Sequence, residues 1–216
     1  NTKSSTGTMT CFSTGAPSSP GTSTYNTNTI TYNVVAGGAV GSTVTCAIAS
    51  GASGSSYMFN GNTITNNGIT ALTGTAAGTV VGFTNSGSAT GETITNNQIN
   101  NLYVGGASTG THTIRGIFNN TLSSSIRTVS GNTIHTLTTL LAASAGTITG
   151  ITSSASATSD ISKNKIYDLA AGGSASTITG ILNTAGTTVN IYNNIIGDLR
   201  SASATGANAI LGLSLT

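Results

Sequence analysis

The sequence predicts an all-β protein in which short strands stack coil upon coil into a solenoid. Two short apolar motifs recur along the 216 residues at a period of about thirty. These motifs are rich in Thr, Ile and Val, which favour strands over helices. Only 5% of the residues are charged, so the composition does not favour a surface built for ionic chemistry.

The low charge argues against several classes of function. An average soluble domain is about 25% charged, whereas this chain has six Lys and Arg, four Asp and Glu, and a formal charge of +2. The basic residues are isolated, and nucleic-acid binding needs a basic stripe. No run of about 18 apolar residues predicts a membrane-spanning helix. The many Ile and Val residues also distinguish the chain from a disordered polar tract.

The first repeated motif is apolar-x-x-Asn-x-apolar, and its copies begin 30 to 35 residues apart. It occurs as ITYNVV (Ile30 to Val35), ITNNGI (Ile64 to Ile69), ITNNQI (Ile94 to Ile99), VSGNTI (Val129 to Ile134), ISKNKI (Ile161 to Ile166) and IYNNII (Ile191 to Ile196). Residues 1–29 match the pattern weakly. We therefore predict a single domain over 1–216, irregular in 1–29 and regular from 30 to 216.

The second motif is Thr-apolar-x-Gly-apolar, with Cys in place of Gly in the first two copies. The column of Gly or Cys reads Cys11, Cys46, Gly82, Gly116, Gly150, Gly180 and Gly212. It predicts about seven coils and a bend in each, because Gly permits backbone angles that other residues rarely adopt. At the centre of the motif, Met9, Val44, Val80, Ile114, Ile148, Ile178 and Ile210 are expected to stack inside.

Both motifs are too short for helices and are typical of strands of about three to five residues. A strand of this length cannot bury its apolar face alone, so each coil must lie on the next at a spacing of ~4.8 Å. Burial of an apolar side chain contributes roughly 1.5 to 3 kcal/mol. Three to five such residues per coil are enough to offset the ordering of a short coil.

The Asn column is the most specific feature of the repeat. An Asn amide has two donors and an acceptor, so amides stacked at the coil spacing can bond to one another, and Asn also tolerates the left-handed conformation of a sharp corner. The predicted ladder consists of Asn33, Asn67, Asn97, Asn132, Asn164 and Asn194. This arrangement resembles the asparagine ladder of right-handed parallel β-helix proteins, and the chain looks most like the secreted or cell-surface, adhesin-like β-helix proteins of bacteria.

The main alternative fold is a leucine-rich repeat, which also contains Asn-x-Ile-x-x-Leu. That repeat requires an apolar residue two positions before the first Ile of the motif. The chain instead has Asn28, Asn62, Glu92, Arg127, Ser159 and Val189 at this position. We therefore rank the leucine-rich repeat below the β-helix.

No catalytic, cofactor or metal site is predicted. Asp168 and Asp198 share one column and could shift each other's pKa or share a cation, but Lys163, Lys165 and Arg200 are nearby and no third carboxylate is in register. We expect the two histidines, His112 and His135, to be exposed, and neither has a Cys, Asp or Glu at metal-ligand spacing. No nucleophile elbow or phosphate-binding Gly motif is present.

Cys11 and Cys46 are 35 residues apart and equivalent in the repeat. The solenoid places their Cα atoms ~4.8 Å apart, within the range of a disulfide. We favour a bridge that cross-links the first coil over two buried free thiols.

Outward Thr residues of the second motif suggest a further role. Flat Thr-x-Thr faces on solenoids are typical of ice-binding proteins, and here the face would comprise Thr8, Thr10, Thr43, Thr45, Thr79, Thr113, Thr147, Thr149, Thr177 and Thr179. Val81 and Arg115 interrupt its second row. Outward Thr is also what a solvated strand simply prefers.

The prediction for function is a structural one without catalysis: an extracellular stalk, an adhesin segment or a filament subunit that stacks on itself. The chain opens at Asn1 without an initiator Met or a basic-then-apolar leader, which is typical of a mature secreted product or of a piece of something longer. Ice binding and glycan binding through exposed Tyr residues are the alternatives. The expected partner is another coil of the same kind, or else a glycan or an ice surface.

Overall fold

The computed structural model describes residues 2–3, 7–15, 20–51, 53–119, 126–139, 141, 145–154 and 156–216. These residues form a parallel β-solenoid of about six turns, and none of them lies in a helix. In every turn the chain passes through three sheets, which we name I, II and III. Each turn enters sheet II first, then sheet III and then sheet I. The all-β solenoid predicted from the repeat is therefore confirmed.

The strands of each sheet come from successive turns. Sheet I consists of β1 (Thr2–Lys3), β4 (Thr29–Thr31), β5 (Val34–Ala36), β8 (Thr63–Leu72), β11 (Gln98–Gly106), β14 (Thr133–Thr139), β17 (Lys165–Ala171), β20 (Ile195–Ile196) and β21 (Leu199–Arg200). Sheet II consists of β2 (Thr8–Ser13), β6 (Ser42–Gly51), β9 (Gly78–Gly87), β12 (Thr111–Asn119), β15 (Ala145–Ser153), β18 (Thr177–Asn183) and β22 (Ile210–Leu215). Sheet III consists of β3 (Thr22–Asn26), β7 (Ser56–Asn60), β10 (Gly91–Thr95), β13 (Ile126–Ser130), β16 (Ser156–Ser162) and β19 (Gly186–Tyr192).

The number of turns is smaller than the seven that the sequence predicts. The second motif supplies the seven strands of sheet II, but sheet III has six strands. The seventh copy of the motif therefore adds a strand to one sheet without completing a turn. Within residues 1–29, β2 and β3 pair in register with β6 and β7, as the later coils do.

The predicted apolar column of sheet II forms the centre of the core. Its members pair in register from Met9 to Ile210. Val44, Val80, Ile114, Ile148 and Ile178 are fully buried. Met9 and Ile210, at the two ends of the column, are only partly covered because each has a neighbouring coil on one side.

The Gly column of sheet II is required by the close approach of neighbouring coils. A Cβ atom on Gly116 would lie 2.6 Å from the carbonyl oxygen of Gly150 and 2.7 Å from Cγ2 of Ile134 in sheet I. Gly82, Gly150 and Gly180 meet their neighbours at similar distances. None of these glycines has a positive φ. The predicted reason, an unusual backbone angle, is therefore wrong, and the reason is steric.

Candidate functional site

An asparagine ladder runs through six consecutive turns. Its members are Asn28, Asn62, Asn97, Asn132, Asn164 and Asn194, and each one donates from both its backbone N and its Nδ2 to Oδ1 of the next, at 2.8 to 3.0 Å. In addition, Asn97 Nδ2 donates to the carbonyl oxygen of Phe59, and the later members make the equivalent bond to sheet III. The four central amides are fully buried. The ladder thus connects coils to each other and sheet I to sheet III.

Two of the predicted ladder residues, Asn33 and Asn67, do not belong to this ladder. They form a separate pair five positions further along the coil, with Asn33 Nδ2 donating to Asn67 Oδ1 at 2.8 Å. The pair ends there because Leu102 occupies the next position of that column. The sequence prediction was wrong by five residues in the first two coils. The motif copies that carry the ladder residues there begin with an aromatic residue, Tyr25 or Phe59, where later copies have Ile or Val.

The wrong prediction of the first two ladder residues has a physical origin in the two corners of each coil. One corner precedes the ladder Asn and the other lies five residues later, and both require a residue with positive φ. The first set is Thr27, Gly61, Asn96, Gly131, Lys163 and Asn193, and the second is Tyr32, Asn66, Asn101, Thr136, Asp168 and Asp198. Because both corners are followed by an inward residue, the same motif fits either one. The left-handed residue is the one before the ladder Asn, not the ladder Asn itself.

A buried ionic cluster lies inside the solenoid between sheets II and III. Arg127 Nε is 2.6 Å from Glu92 Oε2, and neither side chain has any exposed surface. Asn85 Nδ2 donates to Glu92 Oε1 at 2.8 Å, and Asn119 Nδ2 donates to Oε2 at 3.0 Å. Glu92 thus accepts bonds from two turns of the solenoid. A buried charge needs partners of this kind to offset its desolvation.

The guanidinium of Arg127 extends the cluster to the next turn. One of its terminal nitrogens donates to Ser153 Oγ at 3.0 Å and to the carbonyl oxygen of Ser154 at 2.9 Å. On the other side, Tyr57 lies in the same column as Glu92. Burial raises the pKa of Tyr57 well above its ordinary value, and the charge of Glu92 adds to this effect. The charged side chains of the cluster have no exposed surface, so the cluster affects the stability of the fold and does not bind a solute.

The sequence contains a signal for this cluster. Glu92 and Arg127 are one repeat apart, and each stands two residues before an inward apolar residue, Ile94 or Val129. Side chains two apart on a strand share a face. The polarity of these positions argues against a leucine-rich repeat, but it also marks a buried ion pair. Asn28 and Asn62, at the same position of the predicted motif, belong to the ladder.

The outward Thr residues of sheet II form one open row. The first-row residues Thr8, Thr43, Thr79, Thr113, Thr147 and Thr177 pair in register along six turns. All of them are partly or fully exposed. The row therefore presents one hydroxyl and one methyl group per turn.

The second row of the predicted Thr face is not a flat surface. Thr45, Val81 and Thr149 are buried. Thr10 and Thr179, near the ends of the row, stay accessible. Arg115 lies over the ring of Phe118, with its guanidinium carbon 4.0 Å from the ring centroid. Arg115 and Phe118 lie on either side of Gly116 and are both partly buried, so a long charged side chain interrupts the second row.

The acidic pair Asp168 and Asp198 lies in one column, as predicted, and both carboxylates contact Arg200. The guanidinium of Arg200 bonds to Asp168, and its Nε is 3.4 Å from Asp198 Oδ1. Thr136 Oγ1 also donates to Asp168 Oδ2 at 2.7 Å. Among the residues that the structure describes, no group of three or more His, Cys, Asp or Glu residues could hold a metal ion.

The two histidines differ in their surroundings. His135 is partly exposed and stacks on Tyr167, with ring centroids 4.8 Å apart and planes 5° from parallel. The expectation that His112 is exposed is wrong: it is fully buried, and its Nδ1 accepts a hydrogen bond from Gly78 N at 3.1 Å. Burial lowers the pKa of both histidines. The small Gly residues above and below His112, Gly78 and Gly146, leave the room for its ring.

Cys11 and Cys46 occupy the predicted neighbouring positions, and the structure shows them unbridged. Cys46 is fully buried, whereas Cys11 is half-buried near the first strand of sheet II. Their thiols hydrogen-bond to each other. The disulfide stays a prediction.

The last coil exposes apolar side chains. Tyr192, Ile195, Ile210, Leu213 and Leu215 are between 45% and 62% exposed. The strands that carry them have a neighbouring strand on one side within the described chain. Such an end is an unpaired sheet edge combined with an apolar surface, which favours association.

The fold and its ladder define the chain as a parallel β-solenoid repeat protein. No protein-family model, curated protein or solved structure matches this chain. The described residues contain no helix that is long and apolar enough to cross a membrane. The resemblance to bacterial cell-surface β-helix proteins therefore rests on the repeat and the ladder alone.

Proposed function

We propose that this solenoid is a rigid structural element of an extracellular or cell-surface protein: a stalk, an adhesin segment or a subunit of a filament, without a catalytic role. The observation that carries the proposal is the unbroken ladder from Asn28 to Asn194, which accompanies parallel pairing in all three sheets. Every turn is thus bonded to the next through backbone and side chains.

The dimensions suit a spacer. Six turns at a spacing of ~4.8 Å give a solenoid segment about 25 to 30 Å long, which is close to the ~33 Å span of a ten-residue strand such as β6, so a rod longer than it is wide requires more coils. The repeat architecture makes length proportional to the number of coils, so longer rods need only more copies of the same unit.

The surface composition also supports a structural role outside the cell. The chain has ten charged residues in 216, and its outward positions are mainly Thr, Ser, Asn and Gly. Attraction between exposed charges is screened by salt, whereas hydroxyl and amide groups are not affected in this way. We expect the stability of the rod to change little with ionic strength.

A second copy of the chain is the partner that the exposed last coil suggests. In such a contact, β22 of one copy would add to the free edge of β2 of the next, in parallel. Because sheet II has one strand more than sheet III, this arrangement leaves one strand position of sheet III open. We therefore expect self-association to be weak and to depend on concentration.

Small-angle X-ray scattering over a series of protein concentrations tests this proposal. We expect a constant rod cross-section with a length that grows in steps of one rod, and Leu213→Lys should remove the growth but retain the rod. Thr113→Lys, on the side of the rod, is the matched control and should still associate. A flexible particle would contradict the rigid solenoid, while a particle of one copy's dimensions at all concentrations would contradict self-stacking alone.

Ice binding is the second candidate function, and the open first row of Thr residues favours it. The row is regular over six turns, but the second row is buried at Thr45, Val81 and Thr149 and interrupted by Arg115. Thermal hysteresis of the pure protein measures this activity. Thr79→Tyr and Thr147→Tyr in the centre of the row should abolish it, and Thr93→Tyr on sheet III should not. A lack of hysteresis in the unmodified protein removes this candidate.

A further inference from the structure

Cys11 lies in a shallow depression of about 280 Å³ at the first coil. Phe12, Asn28, Ile30 and Asn33 also line this depression. Cys11 is therefore open to a small solute, whereas Cys46, one coil further along, has no exposed surface. The two sulfurs thus differ in access although they occupy equivalent positions.

The hydrogen bond between the thiols gives them different acidities. Its effect on Cys11 is to lower the pKa, because the Cys46 thiol stabilises the Cys11 thiolate. The same hydrogen bond, together with burial, raises the pKa of Cys46 well above its ordinary value. The accessible sulfur is therefore also the one that ionises first. Reactive cysteines combine these two properties.

The first two coils depart from the later ones at two facing positions at once. Where Gly82 and Gly116 stand later in sheet II, these coils have Cys. Where later coils have Leu102 and its equivalents in sheet I, these coils have Asn33 and Asn67. Asn is smaller than Leu, and Asn33 lines the same depression as Cys11. The smaller residues open space on the side that the Cys residues face.

We propose that Cys11 and Cys46 form a thiol–disulfide exchange site that reacts with low-molecular-weight disulfides. The Cys11 thiolate attacks one sulfur of the small disulfide, which breaks its S–S bond and releases one small thiolate that takes up a proton. Cys46 then loses its proton and attacks the Cys11 sulfur of the mixed disulfide, releasing the second small thiol. The protein is oxidised by two electrons, and one small disulfide becomes two thiols.

The product cross-links the first coil to the second. Before reaction, strands β2 and β3 of the first coil pair with β6 and β7 of the second, and afterwards a covalent bond joins the two coils as well. The site would thus make the junction of the first two coils resistant to unfolding in an oxidising environment, where structural disulfides persist.

Oxidised glutathione added to the native protein tests the proposal by intact-mass spectrometry. Wild type should lose two hydrogens without keeping glutathione, because Cys46 resolves the mixed disulfide. Cys46→Ser should trap one glutathione on Cys11, and Cys11→Ser should stay unmodified until it is unfolded. A native Cys11→Ser protein that reacts as readily as Cys46→Ser, or a wild type that retains glutathione, would overturn the proposal.

A second measurement keeps the test valid if a variant fails to fold. Brief alkylation of the native wild type with iodoacetamide, followed by peptide mapping, should label Cys11 at least about tenfold faster than Cys46. The pH at which Cys11 reacts at half its maximal rate should rise in Cys46→Ala, which lacks the stabilising thiol. Equal labelling of the two cysteines contradicts the assigned order of attack.

Discussion

Glu92 and Arg127 lie one above the other inside the solenoid, in contact at 2.6 Å and without exposed surface. Each is held by residues of the facing sheet, Glu92 by Asn85 and Asn119 and Arg127 by Ser153 and Ser154. A coil that slipped by one residue would leave two buried charges without partners. The pair therefore specifies the register of the central coils, at a cost in desolvation that an apolar pair would not incur.

Removal of one partner should leave the other as an unpaired buried charge. We expect Glu92→Gln or Arg127→Met to lower the free energy of unfolding by about 3 to 5 kcal/mol. The double variant Glu92→Leu/Arg127→Met should lose less than the sum of the two single effects, since it leaves no isolated charge. Urea denaturation measures these differences.

The exposed pair of Asp168 and Arg200 provides the control for this cycle. Arg200 is 56% exposed, and pairs of this kind contribute about 0 to 1 kcal/mol. Arg200→Met should therefore change stability little. Additive effects of the Glu92 and Arg127 variants would contradict a coupled pair.

A ladder Asn at the centre of the solenoid should be indispensable. Asn97→Ala would remove the Oδ1 that accepts from the backbone N and the Nδ2 of Asn62. It would also remove the Nδ2 that donates to the carbonyl oxygen of Phe59 and to Oδ1 of Asn132. Each buried group that loses its partner costs about 1 to 3 kcal/mol, so we expect a loss of more than about 3 kcal/mol in the free energy of unfolding. Gln98→Ala, at the neighbouring outward position, should stay within about 0.5 kcal/mol of wild type. Similar losses for both variants would contradict the role of the ladder.

The Gly column offers a test with an internal control. Gly116→Ala would bring a methyl group to 2.6 Å from the Gly150 carbonyl oxygen, and we expect it to cost about 1 to 3 kcal/mol or more because the coils must separate. Gly212 occupies the equivalent position in the last coil, where an added Cβ would meet nothing within 4 Å. Gly212→Ala should therefore be close to neutral in a thermal melt. A harmless Gly116→Ala would show that the spacing of the coils is not limited by this contact.

His112 should make stability dependent on pH. Burial lowers its pKa in the folded protein, so below the unfolded value of about 6.5 the unfolded chain binds more protons than the folded one. The free energy of unfolding should thus be highest above that pH and fall as the pH is lowered through and below it. Urea midpoints at about pH 7.5 and about pH 5.5 measure the slope.

His112→Ser is the informative variant, because Ser42 and Ser176 accept a Gly amide at equivalent positions of the same column. It should reduce the pH dependence. His135→Ser should have a smaller effect, since His135 is partly exposed and Asp168 opposes the lowering of its pKa. An unchanged slope in His112→Ser would contradict the burial of a neutral imidazole.

Comparison of predicted and observed ladder residues shows where sequence patterns become ambiguous. Asn97 and Asn132 were placed correctly because Ile and Val precede them in the predicted pattern. Asn33 and Asn67 were not, because the pattern recurs at the second corner of the coil and the true motif begins with an aromatic residue. Only the strand pairing distinguishes the two corners.

A period of about thirty residues with short apolar motifs is enough to predict an all-β, parallel repeat, because a short strand buries its apolar face only against a neighbouring coil. The same pattern predicts which apolar residues of sheet II, such as Ile114 and Ile148, stack inside. The positions of the polar residues depend on contacts that the repeat does not contain. Glu92, Arg127 and His112 are buried because partners from other coils and other sheets surround them. The spacing of the repeat along the sequence does not indicate which residues these partners are.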